Sequence, residues 1–317
     1  MSAVTAPLPS PPRQRPGRLP FGAPFLIADP AAARRDLTLL RRALAASGVV
    51  AEAAVARPVE RAGAIAARAL EDGHRLLVAV GSDRLTHAVL RVLVDPGGPR
   101  WPDAVLGLAG LGRQDLSATF GLPDDPGKLA PYLVGPNLFT ADVGRARWRG
   151  PDGTARVGVF ANTAELGYPA EVSARAPVAA AGRVGRLAAA LGGLAASRST
   201  PARLEVDHTA VDLRLAGLVV ANGQFSMGRM KVAPRALPDD GRLSVIAFQG
   251  EPLGIYARSK DLYYGLHVPH PQVREYQSRR VAVDTAEPLA LVLDGWRAAG
   301  GPPVSIDVME QVLRVKV

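Results

Sequence analysis

The 317-residue chain contains no cysteine, which excludes disulfides, thiolate metal sites and a thiol nucleophile. Aromatic residues make up only 5% of it, so the core has to be packed from Val, Leu and Ala rather than from rings. No apolar run reaches the roughly 18 residues that a membrane-crossing helix needs. The N-terminal stretch MSAVTAPLPSPPRQRPGRLPFGAP lacks the apolar segment of a secretory signal. Its prolines make residues 1–23 an expected disordered tail. Together these absences fit a cytoplasmic protein. Familiar catalytic signatures are missing too: there is no Gly-x-Ser-x-Gly, no Walker loop and no dinucleotide fingerprint. The five histidines are scattered, and His267 and His270 sit in LHVPHP, too broken by proline for a helical metal pair.

What the chain has in quantity is positive charge. The formal net charge is +9, which either reflects solvated arginines or attracts anionic partners such as phospholipid headgroups or nucleotides. Arg13, Arg15 and Arg18 lie in the tail and Arg145, Arg147 and Arg149 form a second cluster. No basic stripe is interleaved with aromatics, so no specific nucleic-acid partner is expected.

Along residues 24–134 short apolar runs alternate with helical patterns. PFLIADP (24–30), GVVAEAAVA (48–56), RLLVAVG (75–81) and AVLGLAG (104–110) read as strands. The segments 32–46, 58–73 and 85–94 read as helices, the first through Leu37, Leu40 and Leu44 at helical spacing. This alternation predicts a Rossmann-like parallel α/β domain. From residue 135 to 317 short strands follow one another with Gly, Asp and Asn between them, which predicts an antiparallel β-sandwich domain. Helices are expected near 178–196 and 252–266. The fold class is therefore α/β with a second, β-rich domain.

VAVGSDRLTHAVL (78–90) takes a buried strand through Gly, Ser and Asp into a helix, the place where α/β proteins commonly hold a phosphate. Further along come VVANGQFSMGRMKVAPRALPDDGRLSVI (219–246), VGVFANTAELGYPAEV (157–172), FGLP (120–123) and LDGWR (293–297). Through Asn222, Gly223, Gly228, Ala233, Pro234, Asp240, Gly241 and Leu243, through Asn162 and Gly167, and through Asp294–Gly295, in this order, the chain resembles the diacylglycerol kinase catalytic-domain family. That family includes bacterial lipid kinases and sphingosine kinases and is related in fold to NAD kinases. The likeness runs from about Pro24 to Val317.

The resemblance implies ATP and Mg²⁺ as cofactors, a lipid substrate or membrane surface as partner, and ATP-dependent phosphorylation of a lipid hydroxyl. It places a nucleotide at Gly81, Ser82, Asp83, Arg84 and Asp115. It places a metal at Asp240 and Asp83. The Asp239–Asp240–Gly241 run reads equally as a hairpin turn. Such a protein is cytoplasmic and can be peripheral at the membrane; a homodimer is left open. The same comparison exposes departures. Arg84 and Leu85 stand where the family has Gly-Thr after Gly-Gly-Asp, and Ala88 where it has Glu. Residues 109–115, AGLGRQD, match the family's second loop only at Asp115, and Asp29–Pro30 replaces Asn-Pro. Trp296 takes the place of the family's general base. An indole accepts no proton, which leaves Asp294 as a substitute base of short reach. The alternative function is a catalytically inactive pseudokinase that binds nucleotide, lipid or a partner protein.

Overall fold

The computed structural model describes residues 19–175 and 182–317, with the backbone alone at 182 and 183. Most of the expected tail, residues 1–18, lies outside the described residues. Leu19 and Phe21 pack against the first core, and the Arg314 guanidinium lies 5.6 Å from the centre of the Phe21 ring.

The N-terminal region runs β1 (Phe25–Ala28), α1 (Asp36–Ala46), β2 (Glu52–Val55), α2 (Ala62–Glu71), β3 (Leu76–Val80), α3 (Asp83–Leu93), a small hairpin of β4 (Val94–Asp95) and β5 (Gly98–Pro99), β6 (Val105–Ala109), α4 (Asp115–Thr119) and α5 (Pro126–Val134). β1 pairs in parallel with β2 and β3, and β3 with β6. β3 and β6 are buried at every residue, as their unbroken apolar runs require of strands covered on both faces. α1 buries Leu37, Leu40 and Leu44, the three leucines whose spacing predicted it.

The second region is antiparallel. It contains β7 (Leu138–Arg149), β8 (Ala155–Phe160), β9 (Thr163–Gly167), α6 (Tyr168–Ser173), α7 (Gly182–Ala196), β10 (Thr200–Val206), β11 (Thr209–Ala221), β12 (Leu243–Gln249), α8 (Pro252–Ala257), α9 (Ser259–Tyr264), β13 (Val273–Ser278), β14 (Arg280–Thr285), β15 (Leu291–Leu293), β16 (Trp296–Arg297) and β17 (Gly301–Lys316). β10 alternates buried and exposed residues along its length, the signature of a strand with one wet face. Two apolar clusters lie here, one between the sheets and one under α6 and α8. The α/β fold with a parallel core and an antiparallel β-rich C-terminal region matches the sequence reading.

β17 joins the two regions. Its first half pairs antiparallel with β14 and β7, and its end pairs in parallel with β6, Val315 against Leu106 and Lys316 against Gly107. The register shifts between Met309 and Leu313, where Gln311 takes φ +52°. Asp142 holds that irregularity. Its side chain is wholly buried and accepts from the N–H of Gln311 at 2.7 Å and of Gly241 at 2.8 Å. Among the described residues no helix is long and apolar enough to cross a membrane.

Candidate functional site

The carboxyl ends of β1, β3 and β6 open onto the loop 222–232 and the turn 293–296, where open α/β sheets bind their ligands. The turn after β3 has Gly81 at φ +137°. A Cβ there would stand 2.3 Å from Asp29 Oδ2, so only glycine fits. Asp29, at the end of β1, accepts from the Ala32 N–H at 2.8 Å and the Ser82 N–H at 2.9 Å. The Leu85 and Thr86 N–H groups close onto the Ser82 carbonyl at 3.1 and 3.2 Å.

Asp83 opens α3 but points away from it. Its carboxylate accepts from the Asp115 N–H at 3.0 Å and from the Leu116 N–H at 3.3 Å, capping α4 across the fold. Burial pushes its carboxyl well above the usual range, with Asp115 and then Asp294 adding repulsion against the backbone donors. Asp115 repeats the device one layer on. It accepts from the Gly228 N–H at 3.2 Å and from the Arg229 N–H, and burial raises its carboxyl as well. The loop it pins holds Met227 and Arg229 at φ +54° and +69°, a left-handed geometry that costs on the order of 1–3 kcal/mol per non-glycine residue.

Asp294 is the third acid of the chain. Its oxygens accept from the N–H groups of Ala161, Asn162 and Thr163 at 2.8–2.9 Å, and the fourth position faces His87 Nδ1 at 3.4 Å. All its acceptor positions are therefore engaged, and it is buried. Trp296, two residues on, lies near-parallel to the His87 ring at 6.2 Å between centroids. The Arg84 guanidinium sits over the indole at 5.2 Å and reaches Glu60 at 3.1 Å. The two main departures from the family pattern, at positions 84 and 296, thus touch each other.

Sequence expectation and geometry meet in part. Gly81, Ser82, Asp83, Arg84 and Asp115 come together with Asp294. Asp240 does not join them: it is exposed, accepts from the Arg242 N–H at 2.9 Å, and its carboxyl is raised by partial burial and then by Asp142 and Asp239. The two acids expected to share a cation, Asp83 and Asp240, belong to separate clusters. Among the described residues no three His, Asp or Glu side chains are grouped to hold a metal.

Asn222 and Gly223, read as a family motif, have a structural reason. The Asn222 amide donates to the Asp142 and Ala161 carbonyls at 2.8 and 2.9 Å. A Cβ on Gly223 would lie 2.1 Å from Asn162 Oδ1. The sequence reading passed over Glu165, in the middle of β9. It is buried, accepts from Thr163 Oγ at 3.0 Å and from Ser226 Oγ, and leaves Oε2 without a partner. Burial, the largest cause, and repulsion from Asp115 raise its carboxyl to about 7 against the pull of three hydroxyls. A lone Glu amid the apolar and small residues of TAELG was the available signal.

Residues 162–317 match the model of the YegS C-terminal NAD kinase beta sandwich-like domain. A diacylglycerol kinase of Staphylococcus saprophyticus is 25% identical over 239 residues, 73% of each chain. A crystal structure of a diacylglycerol kinase from Bacillus anthracis str. Sterne superposes with a TM-score of 0.68 at 16% identity, covering 93% of this chain and 96% of that one. The first two findings concern sequence, the third the fold. These findings agree with the resemblance carried by the motifs: residues 162–317 match the YegS C-terminal NAD kinase beta sandwich-like domain, and the relatives that the chain resembles are diacylglycerol kinases.

Proposed function

We propose that this protein is a non-transferring member of the diacylglycerol kinase family, one that keeps the scaffold and binds rather than phosphorylates. The observation that carries this reading is the contact of Arg84 with Trp296. Transfer to a lipid hydroxyl needs a base within hydrogen-bond reach of the acceptor proton. Trp296 supplies none, and Asp294 is fully engaged by backbone donors. Electrostatics point the same way. The Ser82 N–H, a donor a phosphate would use, is held by the carboxylate of Asp29, a negative group where the family pattern has a neutral Asn. Mg-ATP does not fit this arrangement as the family pattern would hold it: the loop's donor faces a carboxylate, and Asp83 and Asp240 are apart.

A second reading, ATP-dependent phosphorylation of a lipid hydroxyl, is favoured by one feature. Asp83 and Asp115 still fix α4 and the 228–229 turn around the Gly81 loop, which keeps the frame for a nucleotide. That reading requires Arg84 to leave the indole. The deciding experiment offers labelled Mg-ATP to the protein with diacylglycerol vesicles and scores label in lipid, with ATP binding followed by calorimetry. The proposal expects no transfer above a no-protein control. Transfer that grows with protein concentration would overturn it and establish the kinase.

A further inference from the structure

Residues 226–230 form a small closed loop on the wall of the cleft. Its ends are tied to each other, the Ser226 and Met230 N–H groups each donating to the other's carbonyl at 2.9 Å. Between them Met227, Gly228 and Arg229 take φ of +54°, +83° and +69°, three left-handed residues in a row of which two are not glycine. Such a loop persists only where its surroundings hold it. Two buried carboxyl groups do so from different elements. Asp115 takes the Gly228 and Arg229 N–H groups at the tip, and Glu165 takes the Ser226 hydroxyl at the base. The two grips differ in chemistry. Asp115 faces N–H donors, which suit a carboxylate. Among the described residues Glu165 faces hydroxyls alone, those of Thr163, Ser173 and Ser226, and its Oε2 is buried with no partner.

We propose that Glu165 is a proton-operated latch for this loop: as a neutral acid it holds Ser226 and keeps residues 226–230 down, and as a carboxylate it lets them lift so that water reaches it. Hydroxyls suit a neutral acid, since they donate or accept as required. An ionised Oε2 without a donor in a dry site is costly. Among the described residues no free cation lies against it. Val219 and Val292 flank Glu165 in β11 and β15. On α6, Glu171 is taken by Arg175 and Arg297, and the Tyr168 hydroxyl, lifted by burial to about 12, stays neutral. In the loop, Arg229 pairs with Asp124 and Lys231 lies against Gly265. Asp115 repels a second negative charge. At the far end of the loop His267 Nε2 meets the Val232 carbonyl at 2.9 Å, and burial lowers its pKa. The sign follows from the raised Glu165 carboxyl. Closure is favoured in full below pH 4.5, and that advantage is lost as pH rises to about 7. The loop borders the cleft, so the latch opens that wall toward alkaline pH. The inference holds whether or not the cleft takes a nucleotide, because the loop itself is what is read.

The test is hydrogen–deuterium exchange of the full chain at pH 5 and pH 8, without nucleotide. Peptides covering 222–232 are followed by mass spectrometry and corrected for the intrinsic exchange rate at each pH. In the wild type the opening equilibrium of 226–230 should rise about seventyfold between the two pH values. Glu165→Gln keeps an acceptor for Ser226 and cannot ionise, so its opening should change by no more than about fivefold. At both pH values the loop should exchange well before β3 and β6, as a local opening does. The inference is overturned if the wild type and Glu165→Gln show the same pH dependence. It also fails if the loop exchanges only together with β3 and β6, since the proton would then act on global unfolding. Should Glu165→Gln fold poorly, the wild type alone decides: corrected protection of the loop must fall up to about pH 7 and level off beyond it, and a flat profile refutes the latch.

Discussion

Glu165→Gln tests the physical account of the interior most directly. The Glu165 carboxyl is raised from 4.5 to about 7, so the folded protein holds that proton more tightly than the unfolded chain does. Where the native state binds more protons, stability falls as pH rises. The contribution is therefore intact below pH 4.5 and is lost progressively up to about pH 7. At about 1.4 kcal/mol per pH unit the gap amounts to roughly 3 kcal/mol, as an order of magnitude. Glutamine keeps the shape and an acceptor oxygen for Thr163 and Ser226 but cannot ionise. Urea unfolding of both proteins at pH 5 and pH 8 isolates the effect, since the other titrating groups largely cancel in the comparison. Because part of the contribution is already lost at pH 5, the wild type should lose roughly 2.5 kcal/mol more than Glu165→Gln between the two pH values. A difference below about 0.5 kcal/mol, or one of opposite sign, would refute the reasoning.

Two further substitutions probe the frame and the altered site. Asp142→Ala removes the acceptor for the Gly241 and Gln311 N–H groups; two charge-assisted bonds and the stranded donors predict a loss of about 3–5 kcal/mol in denaturant unfolding, and Asp142→Asn, which keeps one acceptor, should lose less. A double-mutant cycle of Arg84→Ala and Trp296→Ala should return a coupling of about 0.5–2 kcal/mol; additive effects would show that the guanidinium–indole contact is incidental.

Some of this protein could be read from residue order alone. The strands β3 and β6 announced themselves by continuous apolar runs, and α1 by leucines at helical spacing, because burial on two faces or on one stripe dictates those patterns. The family resemblance followed from short polar motifs in a fixed order, and Asn222–Gly223 proved to have a structural role, one amide donating to the Asp142 carbonyl and one glycine beside Asn162. α5 was missed although its signals were present: Asp125 accepts from the Lys128 N–H, and Pro126 stands in the first turn, a local cap and a local start. α4 was missed for a different reason. Its cap is Asp83, 32 residues earlier in the chain, and no local pattern reports a cap that arrives through the fold.

The same division separates the two halves of the functional question. Sequence fixes which residues are absent from the site, since Trp296 cannot be a carboxylate in any conformation. Tertiary structure alone decided that Arg84 rests on Trp296, that Asp294 is consumed by three N–H groups, and that Val184, Leu187 and Leu191 face outward. Those facts depend on which surfaces meet. A helix rich in Gly and Ala has no single apolar face that identifies its inside, so the neighbour that accepts its glycines, here α6, chooses it.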